Sequence, residues 1–261
     1  MVLAAHAKIN LTLEVLGVRP DGYHDLRSVV VPVPLHDDVV LEPADGVSVE
    51  MPGAVSGRGH RPDGPTCDLP QEKNLAWRAA QALRRATGCA QGVRIRIVKR
   101  IPAGAGLGGG SADAAAVLNG LNGLWGLGLP KARLCEIGAT VGSDVPALVL
   151  GGPVLMEGRG ERVTPLVESP LRDFPLPDLS RLVLRTPPVF VSTPRVFAEF
   201  RASDRGQGPN DLQPAACRLH PEILEALAAL RAEGCTGVMM SGSGSSVFGF
   251  RRHCGELAEL V

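Results

Sequence analysis

The chain is poor in aromatic residues, only 3% of its 261 positions, and it holds a single tyrosine, Tyr23. It is poor in lysine too: the basic residues are nearly all arginine, with lysine only at 8, 73, 99 and 131. Net charge is absent, since 27 basic residues balance 27 acidic ones, which argues against nucleic acid or an anionic lipid surface as partner. No apolar run reaches the ~18 residues that span a bilayer. The N-terminal MVLAAHAKINLTLEVLG has no basic region followed by an apolar core, so no secretory signal is expected. Six scattered cysteines form no C-x-x-C and no zinc spacing. They read as reduced thiols of a cytoplasmic protein.

What the chain does have is an ordinary apolar fraction of 44%, enough for a real core, and a length that suggests one large domain or two small ones. KINLTLEVLGV alternates as a half-buried strand, and RPDGYHDL is a turn. LRSVVVPVPLHDDVVLEP reads as two strand pieces and GVSVEM as another. Residues 52–71, rich in Pro and Gly, read as a surface loop. KNLAWRAAQALRRATG has helical spacing and a glycine stop, and GVRIRIVKRI alternates as a strand. KARLCEIGATVG and EILEALAALRAEG predict helices, GVMMSGSGSSVFGF a strand–turn–strand, and RRHCGELAEL a terminal helix. PVLMEGRGERVTPL and LVLRTPPVFV are strand-like. Strands and helices mix without a strict βαβ rhythm, so the fold class expected is α+β. A domain boundary is expected near residue 150, dividing 1–150 from 151–261.

The densest feature is IPAGAGLGGGSADAAAVLNGL (101–121), with five glycines in the seven positions 104–110 and an alanine-rich helix expected from about Ser111. Glycine is costly in such density. A loop between strand and helix earns it if backbone amides must approach an anion at the positive end of a helix. Ser111 is placed as N-cap or as a hydroxyl donor to phosphate. Gly104, Gly106 and Gly109 satisfy G-x-G-x-x-G, but the acidic residue that a dinucleotide site wants some 20 positions on is missing. Gly104 and Gly109 have P-loop spacing, but Gly110 stands where the phosphate lysine belongs.

A third pattern fits more fully. PAGAGLGGGSADAA resembles the phosphate loop of the GHMP small-molecule kinases. AKINLTLEVLGVRPDGYHDLRSV (7–29), GSDVPALVLGGPVLMEGRGE (142–161), NDLQP (210–214) and MMSGSGSSVFGF (239–250) resemble, in order, further elements of one branch of that family. That branch phosphorylates the 2-hydroxyl of a cytidine-diphosphate-linked methylerythritol in the non-mevalonate isoprenoid route. The resemblance implies a two-domain fold: an N-terminal domain like ribosomal protein S5 that binds ATP, and a C-terminal ferredoxin-like α/β sandwich. It implies ATP and Mg²⁺, a small-molecule substrate, and neither nucleic acid nor membrane as partner; it leaves the metal ligands open. Ala112 departs from the family where a second serine is common, Ser143 where alanine is, and Ser241 where threonine is.

Carried onto this chain, the resemblance makes Lys8 and Asp144 catalytic. A carboxylate accepts the alcohol proton, and an ammonium beside it holds it ionised. It assigns Pro102, Ala103, Gly104, Ala105, Gly106, Leu107, Gly108, Gly109, Gly110, Ser111 and Ala112 to the nucleotide phosphates, and Asn74 and Lys99 to the surroundings of adenine. It assigns Asn10, Tyr23, His24, Thr193 and Phe197 to the substrate, with Tyr23 and Phe197 stacking on the cytosine and Phe190 as rival to Phe197. Asp113, in the first helical turn, must point away from the phosphates or reach a metal.

Overall fold

The computed structural model describes residues 1–52 and 70–252. The loop expected over 52–71 falls outside them from 53 to 69, and so does the terminal helix from residue 253 on.

The first half is organised by one long strand. β1 (Val2–Asn10) and β2 (Glu14–Val18) lead to β3 (His24–Ala44), 21 residues long, followed by β4 (Val47–Glu50). The two strand pieces expected over 26–43 are thus one strand. Pro32 and Pro34 do not break it, because the register against β1 slips there, between the pairs His6–His36 and Lys8–Pro32. An irregularity is where a strand tolerates residues that cannot donate to the ladder. β3 also pairs with β2, β5 (Gly92–Val98) and β6 (Val154–Gly158), all antiparallel. β4 runs parallel to β5, a connection that needs a crossover, and α1 (Leu75–Thr87) supplies it. Asn74 caps α1 by accepting from the Ala76 amide at 2.8 Å, and Gly88, at φ +71°, ends it.

α2 (Gly109–Leu124), α3 (Lys131–Ala139) and α4 (Val145–Leu150) cover the sheet together with α1. β6 and β7 (Arg162–Pro165) form a hairpin on the edge of β3, completing a seven-stranded sheet. The boundary expected near residue 150 therefore cuts off a hairpin that pairs with the first sheet. The second sheet holds β8 (Leu182–Arg185), β10 (Val247–Phe250) and β9 (Thr236–Met240) in that order, antiparallel. It carries α5 (Thr193–Glu199), α6 (Gln213–Leu219) and α7 (Pro221–Ala232). The α+β class holds.

Two large apolar cores follow, beside a small cluster of Val30, Ala147, Val154 and Met156. The larger joins the first sheet to α1–α4. The smaller holds Val191, Val196, Leu212, Ile223 and Leu227 of the second half, and also Leu13 and Val15 from the first. Leu13 reaches across: its amide donates to the Pro209 carbonyl and its own carbonyl accepts from the Asp211 amide. NDLQP is the clasp between the halves. Asp211 accepts from the amides of Val15 and Gly206, and the Asn210 side-chain amide donates to the carbonyls of Met240 and Gly242.

Candidate active site

The glycine loop lies at the meeting of the two halves. Gly104, Gly106 and Gly108 have φ of +66°, +74° and +69°, while Ala105 and Leu107 between them are buried. This alternation turns the loop carbonyls inward, where each finds a donor. Ala105 O accepts from the Ser246 amide, Leu107 O from the Lys8 amide, and Gly106 O from both Lys8 Nζ and Ser241 Oγ, each at 3.0 Å. By contrast, among the described residues no amide from Gly104 to Ser111 donates to a protein acceptor. Fixed carbonyls and unspent amides at the start of a sixteen-residue helix form an anion cradle.

The helix begins at Gly109 with Gly108 as its N-cap, so Ser111 stands inside the first turn and is not the cap expected of it. The left-handed Gly108 brings the chain into helical register earlier than the serine does. Ala112 is buried, and its amide is taken by the Gly108 carbonyl at 2.8 Å. Its methyl group packs into the larger core.

Lys8 and Asp144 come together, as expected. Lys8 is 4% exposed on β1. Its ammonium donates to Asn10 Oδ1 at 2.6 Å and to Gly106 O at 3.0 Å, and lies 3.6 Å from Asp144 Oδ2. An ammonium has three N–H donors, so two anchor it and one is left toward the carboxylate. Asp144 stands at the N-cap position of α4 yet makes no side-chain cap bond. Its carboxylate, 31% exposed, turns to Lys8 instead, which sets it apart from an ordinary capping aspartate.

Asn10, expected at the substrate, supports Lys8 from within the protein. It is 1% exposed, its Oδ1 holds Lys8, its Nδ2 donates to Ser28 Oγ at 2.8 Å, and its amide donates to Ser241 Oγ. Ser28 and Ser241, which the sequence reading assigned to no role in the site, hold this support in place. The SGSGSS turn was the available signal for Ser241, and nothing in LRSVV marked Ser28.

Lys99, expected near adenine, is held by protein carboxylates, with Nζ 2.5 Å from Asp37 Oδ2 and 2.7 Å from Asp113 Oδ2. Asp37 also accepts from the amides of Arg100 and Ile101, so the triad ties β3, the end of β5 and the second turn of α2 together. That answers where Asp113 points: inward. Burial, opposed by Lys99, pushes its carboxyl up to about 7. The folded chain then holds a proton that the unfolded chain loses near pH 4, so the stability this group contributes is full below pH 4 and is lost as pH rises through 7. Melting temperature is expected to fall between pH 5 and 8, and Asp113→Asn, which keeps the bond to Lys99, to flatten that slope and melt higher than the parent at pH 8.

Asn74 caps α1, and its side-chain amide meets Met51 Sδ at 3.5 Å. Tyr23 and His24 close the β2–β3 hairpin. Tyr23 is exposed, with the Arg159 guanidinium 4.7 Å from its ring centre. The His24 ring stacks on Phe197 at 4.7 Å and 23°, and burial and Arg205 lower its pKa below the ordinary value, favouring the neutral ring. Thr193 Oγ1 shares a hydrogen bond of 2.7 Å with Ser243 Oγ, joining α5 to the second glycine turn. Phe197 thus lies under the histidine. Its rival Phe190 lies against Gly104, 74% exposed at the rim of the cradle without filling it.

Unspent loop amides beside a buried ammonium and its carboxylate partner suit the chemistry of a small-molecule phosphotransferase. The family models for the N-terminal and C-terminal domains of the GHMP kinases match residues 74–152 and 195–253. The chain belongs to the GHMP kinases. It is 44% identical over its whole length to the 4-diphosphocytidyl-2-C-methyl-D-erythritol kinase of Symbiobacterium thermophilum, covering 95% of that protein. It is 42% identical to the kinase of the same name from Pelotomaculum thermopropionicum, over 94% of this chain and 87% of that one. A crystal structure of 4-(cytidine 5'-diphospho)-2C-methyl-D-erythritol kinase superposes with a TM-score of 0.73 at 36% identity, over 96% of this chain and 90% of that one. The Methanococcus jannaschii mevalonate kinase shares the fold, with a TM-score of 0.64 at 11% identity.

Proposed function

We propose that this kinase transfers the γ-phosphoryl group of ATP to the 2-hydroxyl of 4-diphosphocytidyl-2-C-methyl-D-erythritol. The observation that carries the chemistry is the Lys8 ammonium, which joins the Gly106 carbonyl of the cradle to within 3.6 Å of the Asp144 carboxylate. The full-length likeness to kinases of that substrate, together with the Tyr23–His24 hairpin, supports the acceptor.

In this reading the amides of 104–111 hold the triphosphate. Asp144 orients the acceptor hydroxyl and takes its proton as the bond to phosphorus forms. Lys8 places positive charge between the carboxylate and the moving phosphoryl group. Neutral His24 presents one donor and one acceptor to the edge of the cytosine, and Tyr23 offers a face to its ring. Phe197 backs the histidine.

Mg²⁺ belongs to this reading. It takes hard oxygen ligands, one or two carboxylates and the substrate phosphates. The residues fit: the Asp144 carboxylate makes no hydrogen bond among the described residues beyond its approach to Lys8, and the Ser111 hydroxyl stands in the first turn of α2. When bound, the ion neutralises charge on the transferring phosphates. Among the described residues no helix is long and apolar enough to cross a membrane, and Cys89, Cys135, Cys217 and Cys235 are free thiols. The cytoplasm suits them.

The test is ADP release from ATP with a panel of alcohols. The cytidine-bearing methylerythritol should stimulate it at least 100-fold more, in kcat/KM, than homoserine or mevalonate. Equal or greater turnover with either small alcohol would sink the assignment.

A further inference from the structure

Resting on that reading of the substrate site, we propose that Arg159 binds the diphosphate of the cytidine-bearing substrate and so measures the distance between its base and its reacting alcohol. Arg159 stands at the tip of the β6–β7 hairpin, exposed, between Gly158 at φ +73° and Gly160 at φ +113°. The turn touches both ends of the site. At one end the Arg159 guanidinium lies 4.7 Å from the centre of the Tyr23 ring. At the other, a Cβ on Gly160 would sit 2.5 Å from the carbonyl oxygen of Ser143, the residue before Asp144. A substrate with its base on Tyr23 and its hydroxyl at Asp144 must carry its two phosphates past this turn.

The charges around the turn single out this arginine. Arg19, beside it, is already engaged by Asp21, Asp25 and Glu161 at 3.3, 3.6 and 3.9 Å. Glu161 is occupied in shaping the turn, accepting from the Arg159 amide at 2.6 Å. The Arg159 side chain forms no ion pair and no hydrogen bond among the described residues; it lies over the aromatic face of Tyr23 and close enough to Asp21 to help lower that carboxyl's pKa. A guanidinium fork with unspent donors is matched to two neighbouring phosphate oxygens. Stacked on Tyr23, it is stored beside the path of the diphosphate and gives up only a weak contact on engaging it.

The test compares binding of CDP-methylerythritol, CDP and cytidine to the full chain by calorimetry, for wild type, Arg159→Ala and Arg159→Lys. The expected result is a loss of about 10- to 100-fold in affinity for both diphosphates in Arg159→Ala, the range of a charge-assisted contact, with cytidine unchanged. Arg159→Lys should recover part of the loss and show a steeper salt dependence. If cytidine weakens as much as CDP, the arginine merely props Tyr23 and the proposal is wrong. If none of the three weakens while wild type binds them all, Arg159 is a bystander and the proposal is equally wrong. A wild type that binds neither CDP nor cytidine overturns the reading of the substrate site itself.

Discussion

Lys8→Met will lower kcat by about 10²- to 10³-fold while leaving KM for the cytidine substrate within about threefold, because the lost charge acts on the moving phosphoryl group. Methionine keeps the length and apolar stem of lysine, so β1 retains its packing. Two hydrogen bonds disappear, to Asn10 Oδ1 and Gly106 O, but Gly106 O still accepts from Ser241 Oγ. The expected fold penalty is about 2 kcal/mol at most. Asp144 loses its counter-charge but is 31% exposed, so water takes the place of the ammonium. Asp144→Asn should cost about 10²- to 10⁴-fold in kcat, the range of a general base, with only a small fall in melting temperature, because its side chain caps nothing and an amide oxygen still faces the Lys8 ammonium. If the two act as one unit, the double variant will be little worse than the poorer single one. Multiplying losses in a steady-state cycle would show instead that the 3.6 Å pair is accidental.

Much of this site was legible because the chemistry writes itself in residue types that folding alone would avoid. A lysine in an apolar strand needs a partner, and in a chain with four lysines it stands out; the partner is the aspartate before Val-Pro, as the collinear motifs implied. Five glycines in seven residues mark a backbone with a task, and three of them have positive φ. The protein partners of other polar residues were not legible. Lys99 and Asn10 carry polar groups whose partners, Asp37 and Ser28, lie on β3 at 62 and 18 residues' separation. No local pattern announces such pairs. Sheet membership was hidden for the same reason, since β6 and β7 read as strands but only their pairing with β3 says which sheet owns them. α5 and α6, seven residues each, are too short for helical periodicity to rise above the proline-rich segments around them.

Gly106→Ala will abolish detectable turnover and lower stability by several kcal/mol, the largest effect expected of removing no functional group at all. Its φ of +74° costs an L-residue about 1–2 kcal/mol by itself. The greater cost is collision: the new Cβ would lie 2.2 Å from the Ser241 carbonyl oxygen and 3.0 Å from that of Gly244, both backbone atoms of the facing turn. Neither can rotate aside, so one loop must leave the other. Whichever moves, the Gly106 carbonyl parts from Ser241 Oγ or from Lys8 Nζ, and the Ser246 amide loses the Ala105 carbonyl. The contact between the two glycine turns and the anchoring of the ammonium are thus broken by one methyl group. Gly123→Ala is the control. It lies in α2 with φ in the ordinary range and nothing within 4 Å of a new Cβ, so alanine should raise stability by up to about 1 kcal/mol and leave turnover intact. Melting curves and ADP release for the two alanine variants separate the cases. A Gly106→Ala enzyme that melts and turns over like the parent would mean that the two glycine turns do not meet in solution, and that the cradle is not held by the second half of the chain.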